Sequence, residues 1–297
     1  MSRTHRTLSG STSVSSTMSP RFARTGTGQI HTRWVGGKSL TIEFLVIGGG
    51  GSRAGGGGGF VQGSMTVANS ALITVGAGGT SGGVGNNSSL DFVVGYGGGG
   101  GVSTSGGSGA GSSGIATQIS FPGATGYGFN GGAFSSGENY NVGHSGYGGG
   151  GGAGGVGPNG VTHQGANGGS GRNSTITGST VTYAGGGAGN SHCNGCGTGT
   201  CIGGSGGGGN GSRYSFGNQQ CSSDGGINLG GGSGARCGGG YSCGTENGGS
   251  GIVIVAYPSS NGPLSSIAPG LLYTLSTTSR SGYHVYRFTS GTGEITL

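Results

Sequence analysis

The chain of 297 residues carries 87 glycines, 12 basic and 6 acidic residues, and a net charge of +6. With only 6% of its residues charged it is not a charge-swollen disordered tail, and six prolines without a Gly-X-Y period exclude a collagen helix. The acids (Glu43, Asp91, Glu138, Asp224, Glu246 and Glu294) are scattered along the chain, so paired-carboxylate catalysis has no foothold and the composition points away from an enzyme.

Residues 1–33 read as a basic, Ser/Thr-rich arm: Arg3, Arg6, Arg21, Arg24 and Arg33, with Lys38 just beyond, all precede the first acid, Glu43. Nothing in Met1–Pro20 has the apolar run of a secretory signal, and no stretch of the chain suits a membrane span. Leu40–Ile47 alternates and then turns continuously apolar, which predicts a strand entering a core. Phe60-Val61, Met65–Val67, Ala71–Val75 and Leu90–Val94 follow as short strands. After Gly95 the apolar residues become single aromatic beads in glycine, among them Tyr127, Phe129, Phe134, Tyr140 and Tyr147. Thr175–Tyr183 is a further predicted strand, and Ile252–Val255 with Tyr257-Pro258 closes the tract with a sharp end. Residues 259–270 read as a Pro/Ser linker, and residues 271–297 as a small C-terminal β-hairpin. No helical periodicity appears, so the predicted class is all-β, essentially without α-helix.

Between Gly48 and Gly251, 77 of 204 residues are glycine. Fixing a residue costs roughly 1–2 kcal/mol of backbone entropy, most of all for glycine, so an ordered tract must recover that cost. Extended threefold helices of the polyproline II type make no internal hydrogen bonds. Without side chains they can pack side by side and bond laterally, giving every buried N–H and C=O a partner. The expectation is therefore a polyglycine II helix bundle on a β framework spanning residues 34–258, rather than a floppy Gly/Ser linker.

All six cysteines, Cys193, Cys196, Cys201, Cys221, Cys237 and Cys243, fall in one stretch. Cys193 and Cys196, with His192 and another pair, have zinc-like spacing, but no matching second Cys-x-x-Cys follows. An even count in a core-poor region suits disulfides, whose pairing the spacing does not choose, while reduced thiols remain the alternative. No metal or cofactor is expected. Gly203-Gly-Ser205-Gly-Gly207 fits a nucleophile-elbow pattern without the helix that it needs.

Phe44-Leu-Val-Ile47 runs into Gly48–Gly51, then Gly55–Gly59-Phe60-Val61, Ile73-Thr-Val75-Gly-Ala-Gly-Gly79 and Asn87-Ser-Ser-Leu90. Gly248-Gly-Ser-Gly-Ile-Val-Ile-Val255-Ala-Tyr-Pro258 closes the tract. This series, over roughly Trp34 to Pro258, resembles the glycine-rich domain of bacteriophage tail-fibre and virion structural proteins, especially those of marine and cyanobacterial phages. Ala256 stands where that family commonly has Arg, and the cysteine cluster is also a departure. The resemblance implies a β framework around a polyglycine II bundle, similar to that of adhesins at the tips of some phage long tail fibres. It further implies a virion location, a trimeric fibre, and a basic arm that docks to other virion proteins.

An internal echo adds to this. Phe22-Ala-Arg-Thr-Gly26-Thr-Gly28-Gln-Ile30 matches Phe288-Thr-Ser-Gly291-Thr-Gly293-Glu-Ile295 with one residue of slippage. The second copy, with Tyr283, Val285, Phe288 and Ile295, is expected either to add as an assembly strand to a sheet edge, of its own or a neighbouring protomer, or to form a capping hairpin.

The expected function is that of a non-enzymatic virion component, a tail fibre or another fibre or decoration protein contributing to host attachment. Tyr127, Phe129, Asn130, Tyr140, Asn141 and Tyr147 are the residues expected either to meet a host-surface glycan or to pack at the bundle edge. The alternative is a self-assembling extracellular filament or cell-wall protein. An RNA-binding tail is the weakest reading because Arg-Gly-Gly repeats are missing, so no nucleic-acid partner is expected.

Overall fold

A computed structural model describes residues 39–297 apart from 102, 136–144, 163, 193–200, 216–217 and 237–244, together with the backbone of two earlier strands. Those strands, β1 (Met18–Arg24) and β2 (Ile30–Gly36), form an antiparallel hairpin from Met18↔Gly36 to Arg24↔Ile30.

The main sheet is antiparallel and nearly closed. It contains β3 (Ser39–Ile47), β4 (Phe60–Ala68), β5 (Ser70–Val75), β6 (Ser88–Leu90), β7 (Val93–Gly95) and β8 (Ala124–Tyr127). Two-stranded pairs lie within the glycine tract: β9 (Ser145–Gly146) with β12 (Ser191–His192), β10 (Arg172–Ser174) with β11 (Val181–Tyr183), and β13 (Arg213–Ser215) with β14 (Asn218–Gln220). The chain returns to the main sheet through β15 (Ile252–Pro258), β16 (Ser266–Ile267), β17 (Leu272–Ser276) and β18 (Tyr283–Thr296). The sheet order is β7-β6-β5-β18-β15-β3-β4-β8, with β16 and β17 also on β18. Among the described residues there is no α-helix; one 3-10 turn spans Ser259–Asn261.

The change of pattern within Leu40–Ile47 has a direct cause. Leu40, Ile42, Phe44 and Val46 point into a core inside the sheet, with Ile73, Leu90, Val253, Val255, Tyr286 and Phe288. Leu45 and Ile47 point the other way, into a second core with Phe60, Ala153, Ile176, Tyr183, Ala184, Ile254 and Val285. The far half of β3 is thus covered on both faces, and so is β15, whose residues 252–257 are all buried. Alternation gives way to a continuous apolar run wherever the glycine layer covers the outer face.

Some strands fall otherwise than the residue pattern suggests. Leu90–Val94 is a tight hairpin, turned at Asp91 (φ 49°), whose Oδ1 accepts from Leu72 N at 2.7 Å. Thr175–Tyr183 is not one strand: the turn around Gly178 (φ 93°) sends Val181–Tyr183 back along Arg172–Ser174. The largest difference is at the C-terminal end. The expected hairpin is present, with Leu272–Ser276 antiparallel to the start of Tyr283–Thr296, but the latter is no edge strand: it is one 14-residue strand in the middle of the main sheet. Its first half lies between β15 and β17 and its second half between β5 and β16. Val285, Tyr286, Phe288 and Ile295 are all buried, so the expected assembly strand is consumed within its own chain. Nor is 259–270 a free linker: Leu264 and Ile267 pack on the inner core, and Leu264 N donates to the Tyr286 hydroxyl at 3.0 Å.

The glycine tract is ordered by lateral backbone hydrogen bonds whose partner changes at each residue and returns after three. Gly55 and Gly58 donate to Ser233 and Gly230, Gly56 and Gly59 to Gly99 and Tyr96, and Gly57 to Gly151. Tyr147, Gly150 and Ala153 donate in turn to Asn190, Gly187 and Ala184, all at 2.8–3.2 Å. Segments 48–52 and 247–251 follow the same rule: Gly49 and Ser52 reach Asn86 and Gly83, and Gly248 and Gly251 reach Gly79 and Gly76. The main chains lie so close that a Cβ on most of these glycines would overlap a neighbouring carbonyl. Glycine is required here for close approach, not for unusual dihedral angles.

Candidate functional site at the far end of the glycine layer

The lateral bonds fix levels along the layer. Gly48 and Gly59 continue from β3 and into β4, so they mark the sheet end. Ala153 and Ala184 share the second core and also lie near the sheet. Gly150 and Gly187 are one step out, level with Gly55, and Tyr147 with Asn190 lies one step beyond that. Continuing outward, Gly211 N meets Cys201 O and Ser212 N meets Ala235 O. One end of the layer is therefore the sheet, and the other lies beyond Tyr147, Asn190 and Gly211.

Two of the six cysteines, Cys201 and Cys221, fall among the described residues of this far end. Cys201 is buried there, and Cys221 is disulfide-bonded. Cys193, Cys196, Cys237 and Cys243 lie outside the described residues. Among the described residues, no cluster of three His, Cys, Asp or Glu side chains could hold a metal ion.

The first turn at this end is pinned electrostatically. Arg53 and Ala54 both take left-handed backbone (φ 54° and 52°), a conformation costly for side-chain-bearing residues. Arg53 Nε pairs with the buried carboxylate of Glu246 at 3.1 Å, and Arg53 N donates to Ser233 Oγ at 2.9 Å. The Ser233 hydroxyl donates onward to Glu246 O at 2.9 Å. Such a pair across 193 positions is invisible to local pattern reading.

Of the aromatic and amide residues expected to meet a surface, Tyr140 and Asn141 lie outside the described residues. Tyr147 is half-buried at the far end, edge-to-face with Phe134 at 4.9 Å. Phe129 is half-buried, and its carbonyl accepts from Gly109 N. Asn130 is exposed, yet its Oδ1 accepts from Ala116 N at 2.8 Å and its carbonyl from Gly157 N. The same device recurs: Asn87, Asn159, Asn167 and Asn210 each offer Oδ1 to a backbone N–H of a neighbouring segment, at 2.8–2.9 Å. Side-chain amides thus stand in for main-chain carbonyls where a row of the layer runs out. Sequence spacing alone did not distinguish this edge role from ligand binding.

Tyr127 sits elsewhere, in an open, polar cleft of about 660 Å³ beside β4 and the edge strand β8. The Arg172 guanidinium lies over its ring at 3.4 Å from the centroid, and the ring meets Phe60 edge-to-face at 6.1 Å. Gln62, Ser64, Thr125 and Asn173 add polar groups to the cleft wall. Glu43 also lines it, but both its oxygens are held by Arg280, at 2.7 and 2.8 Å. Sequence reading missed Arg172, because only the β10–β11 hairpin brings it to Tyr127.

The hydrogen-bonded Arg280 guanidinium keeps the Glu43 carboxyl below its ordinary value, outweighing the opposing effect of burial. A folded-state pKa below the unfolded one stabilises the protein above the ordinary carboxyl range, and that contribution is lost as pH falls through the lowered value. Both side chains are partly exposed, so the effect is modest. Chemical denaturation between pH 7 and pH 3 is expected to show a smaller acid loss of stability in Glu43→Gln than in the parent protein.

No curated protein and no solved structure matches the chain. A family model described as a glycine-rich domain matches residues 25–258, from just after β1 to the last residue of β15. The chain therefore belongs to the glycine-rich domain family.

Proposed function

We propose that the protein is a non-enzymatic structural component of a bacteriophage virion, a tail fibre or another fibre or decoration protein that contributes to attachment at the host surface. The glycine layer is then a bundle of polyglycine II helices acting as a stiff spacer. The three-residue return of its lateral hydrogen bonds is the observation that carries this reading. A sheet with two apolar cores at one end of the glycine layer suits a part that is anchored at that base. The basic arm of residues 1–33 is proposed to dock to other virion proteins, and the assembled form to be a homotrimer in the virion.

Electron microscopy of the purified full chain, alone and mixed with a panel of bacterial cells, tests the reading. Particles seated on the envelope of a subset of cells are the expected result. Self-polymerisation into filaments would replace it with the extracellular filament reading, and indifference to every cell would remove the attachment role.

A further inference from the structure

We infer that the Arg172 cleft is a binding site for a carboxylate-bearing saccharide, one containing uronic or similar sugar acids. The inference rests on the surface-attachment reading for the source of the sugar, while the cleft chemistry stands independently. Arg172 has no acidic partner among the described residues; its only described contact of this kind is with the Tyr127 ring. The Glu43 carboxylate in the same wall is neutralised by its two-point pairing with Arg280. Arg172 is thus the uncompensated charge of the cleft, and the net charge of +6 favours the approach of a polyanion.

Contact with the Tyr127 ring holds the guanidinium in place, and a planar fork held in place suits two-point recognition of a carboxylate. The groups around it suit sugar hydroxyls. Gln62 and Thr125 make no side-chain hydrogen bond within the described residues, and Asn173 uses only its oxygen, accepting from Thr182 Oγ1 at 2.7 Å. Its amide N–H donors remain for a ligand. Arg172 covers one face of the Tyr127 ring, and Phe60 meets the ring edge-to-face. Recognition by sugar-ring stacking is therefore restricted, and charge with hydrogen bonding selects an acidic over a neutral sugar. The cleft is open to the surface, so an internal residue of a longer glycan can enter without threading.

Titration calorimetry with three soluble oligosaccharides of equal length tests this: oligogalacturonate, a sulfated oligosaccharide and a neutral one. The expected result is saturable binding of oligogalacturonate, at least tenfold weakened by Arg172→Gln and partly retained by Arg172→Lys, which keeps the charge but loses the fork. Gln62→Ala, which breaks no described hydrogen bond, is expected to weaken binding severalfold with an unchanged unfolding midpoint, so a folding defect in the Arg172 variants cannot mimic the result. No binding, equal binding of the neutral sugar, binding of the sulfated sugar alone, or binding indifferent to Arg172→Gln and Gln62→Ala would each overturn the inference. Cell binding that survives Arg172→Gln would leave attachment standing and refute the cleft as its receptor site. Oligogalacturonate binding without binding to any cell would support the cleft and refute attachment.

Discussion

Gly97→Ala is expected to destabilise the protein by about 3 kcal/mol or more, at or above the upper end of ordinary overpacking, and to lower its melting temperature by roughly 10 °C. Gly97 is buried, its N–H donates to Asn87 Oδ1, and its carbonyl accepts from Gly107 N. An added Cβ would fall on the carbonyl of Gly85, a main-chain atom with no rotamer to escape into. In an apolar core a methyl group displaces side chains; here it must move a backbone that is itself bonded to two further segments. Gly155→Ala is the matched control. The nearest atom to its new methyl is Ser170 Oγ at 2.9 Å, the end of a side chain that can rotate, so the expected change is within about 0.5 kcal/mol. Thermal unfolding of the two variants beside the parent protein checks both values. Equal, small effects would mean that the glycines are not close-packed.

Removing Tyr283–Leu297 is expected to abolish the cooperatively folded state, not merely to weaken assembly. The segment supplies Tyr286, Phe288 and Ile295 to the inner core and Val285 to the outer one, and it holds β15 and β5 in one sheet. The point substitution Phe288→Ala probes the same claim without deleting chain. Phe288 is fully buried beside Tyr273 and Tyr286, and loss of such a ring costs about 3–5 kcal/mol. Urea titration of the variant gives the value. A truncated chain with a native melting transition but an altered oligomeric state would restore the edge-strand interpretation. The family match stops at Pro258, yet the sheet is complete only with β18, so the structural unit extends beyond the stretch that family membership identifies.

What could be read from the residues follows the range of the interactions. The strands at both ends of the glycine tract were legible because burial on one or both faces writes itself into local alternation: β3 changes pattern where Leu45 and Ile47 meet the second core. The ordering of the tract was legible as a requirement, since so many glycines need partners. Which segments pair was not, because glycine carries no pattern, and Gly57 reaches Gly151 while Gly187 reaches Gly55. The place of β18 was hidden for another reason. Gly291 and Gly293 divide its apolar residues into two short runs that read as separate elements. In the sheet, Gly291 takes φ 97° and a Cβ on Gly293 would come within 2.5 Å of the Ala268 side chain, so the glycines meet local demands within one strand without ending it. The Arg172 cleft was illegible altogether. Its parts come from β3, β4, β8 and β10, which only the main sheet and the β10–β11 hairpin bring together.

The internal echo also gains physical content. In the C-terminal copy each repeated position meets a demand: Phe288 and Ile295 are buried in the inner core, Gly291 needs left-handed backbone, and Gly293 needs close approach. The N-terminal copy keeps the residue types that satisfy those demands, at Phe22, Gly26, Gly28 and Ile30.

Amide hydrogen exchange, resolved over 48–59, 147–153 and 184–190, tests the central claim most directly. If the glycine tract is a backbone-bonded bundle, its amides exchange as slowly as those of β3 and β15, and protection is lost together with the sheet when the protein unfolds. Exchange of those glycine amides at the rate of an unstructured chain, with β3 and β15 still protected, would contradict it.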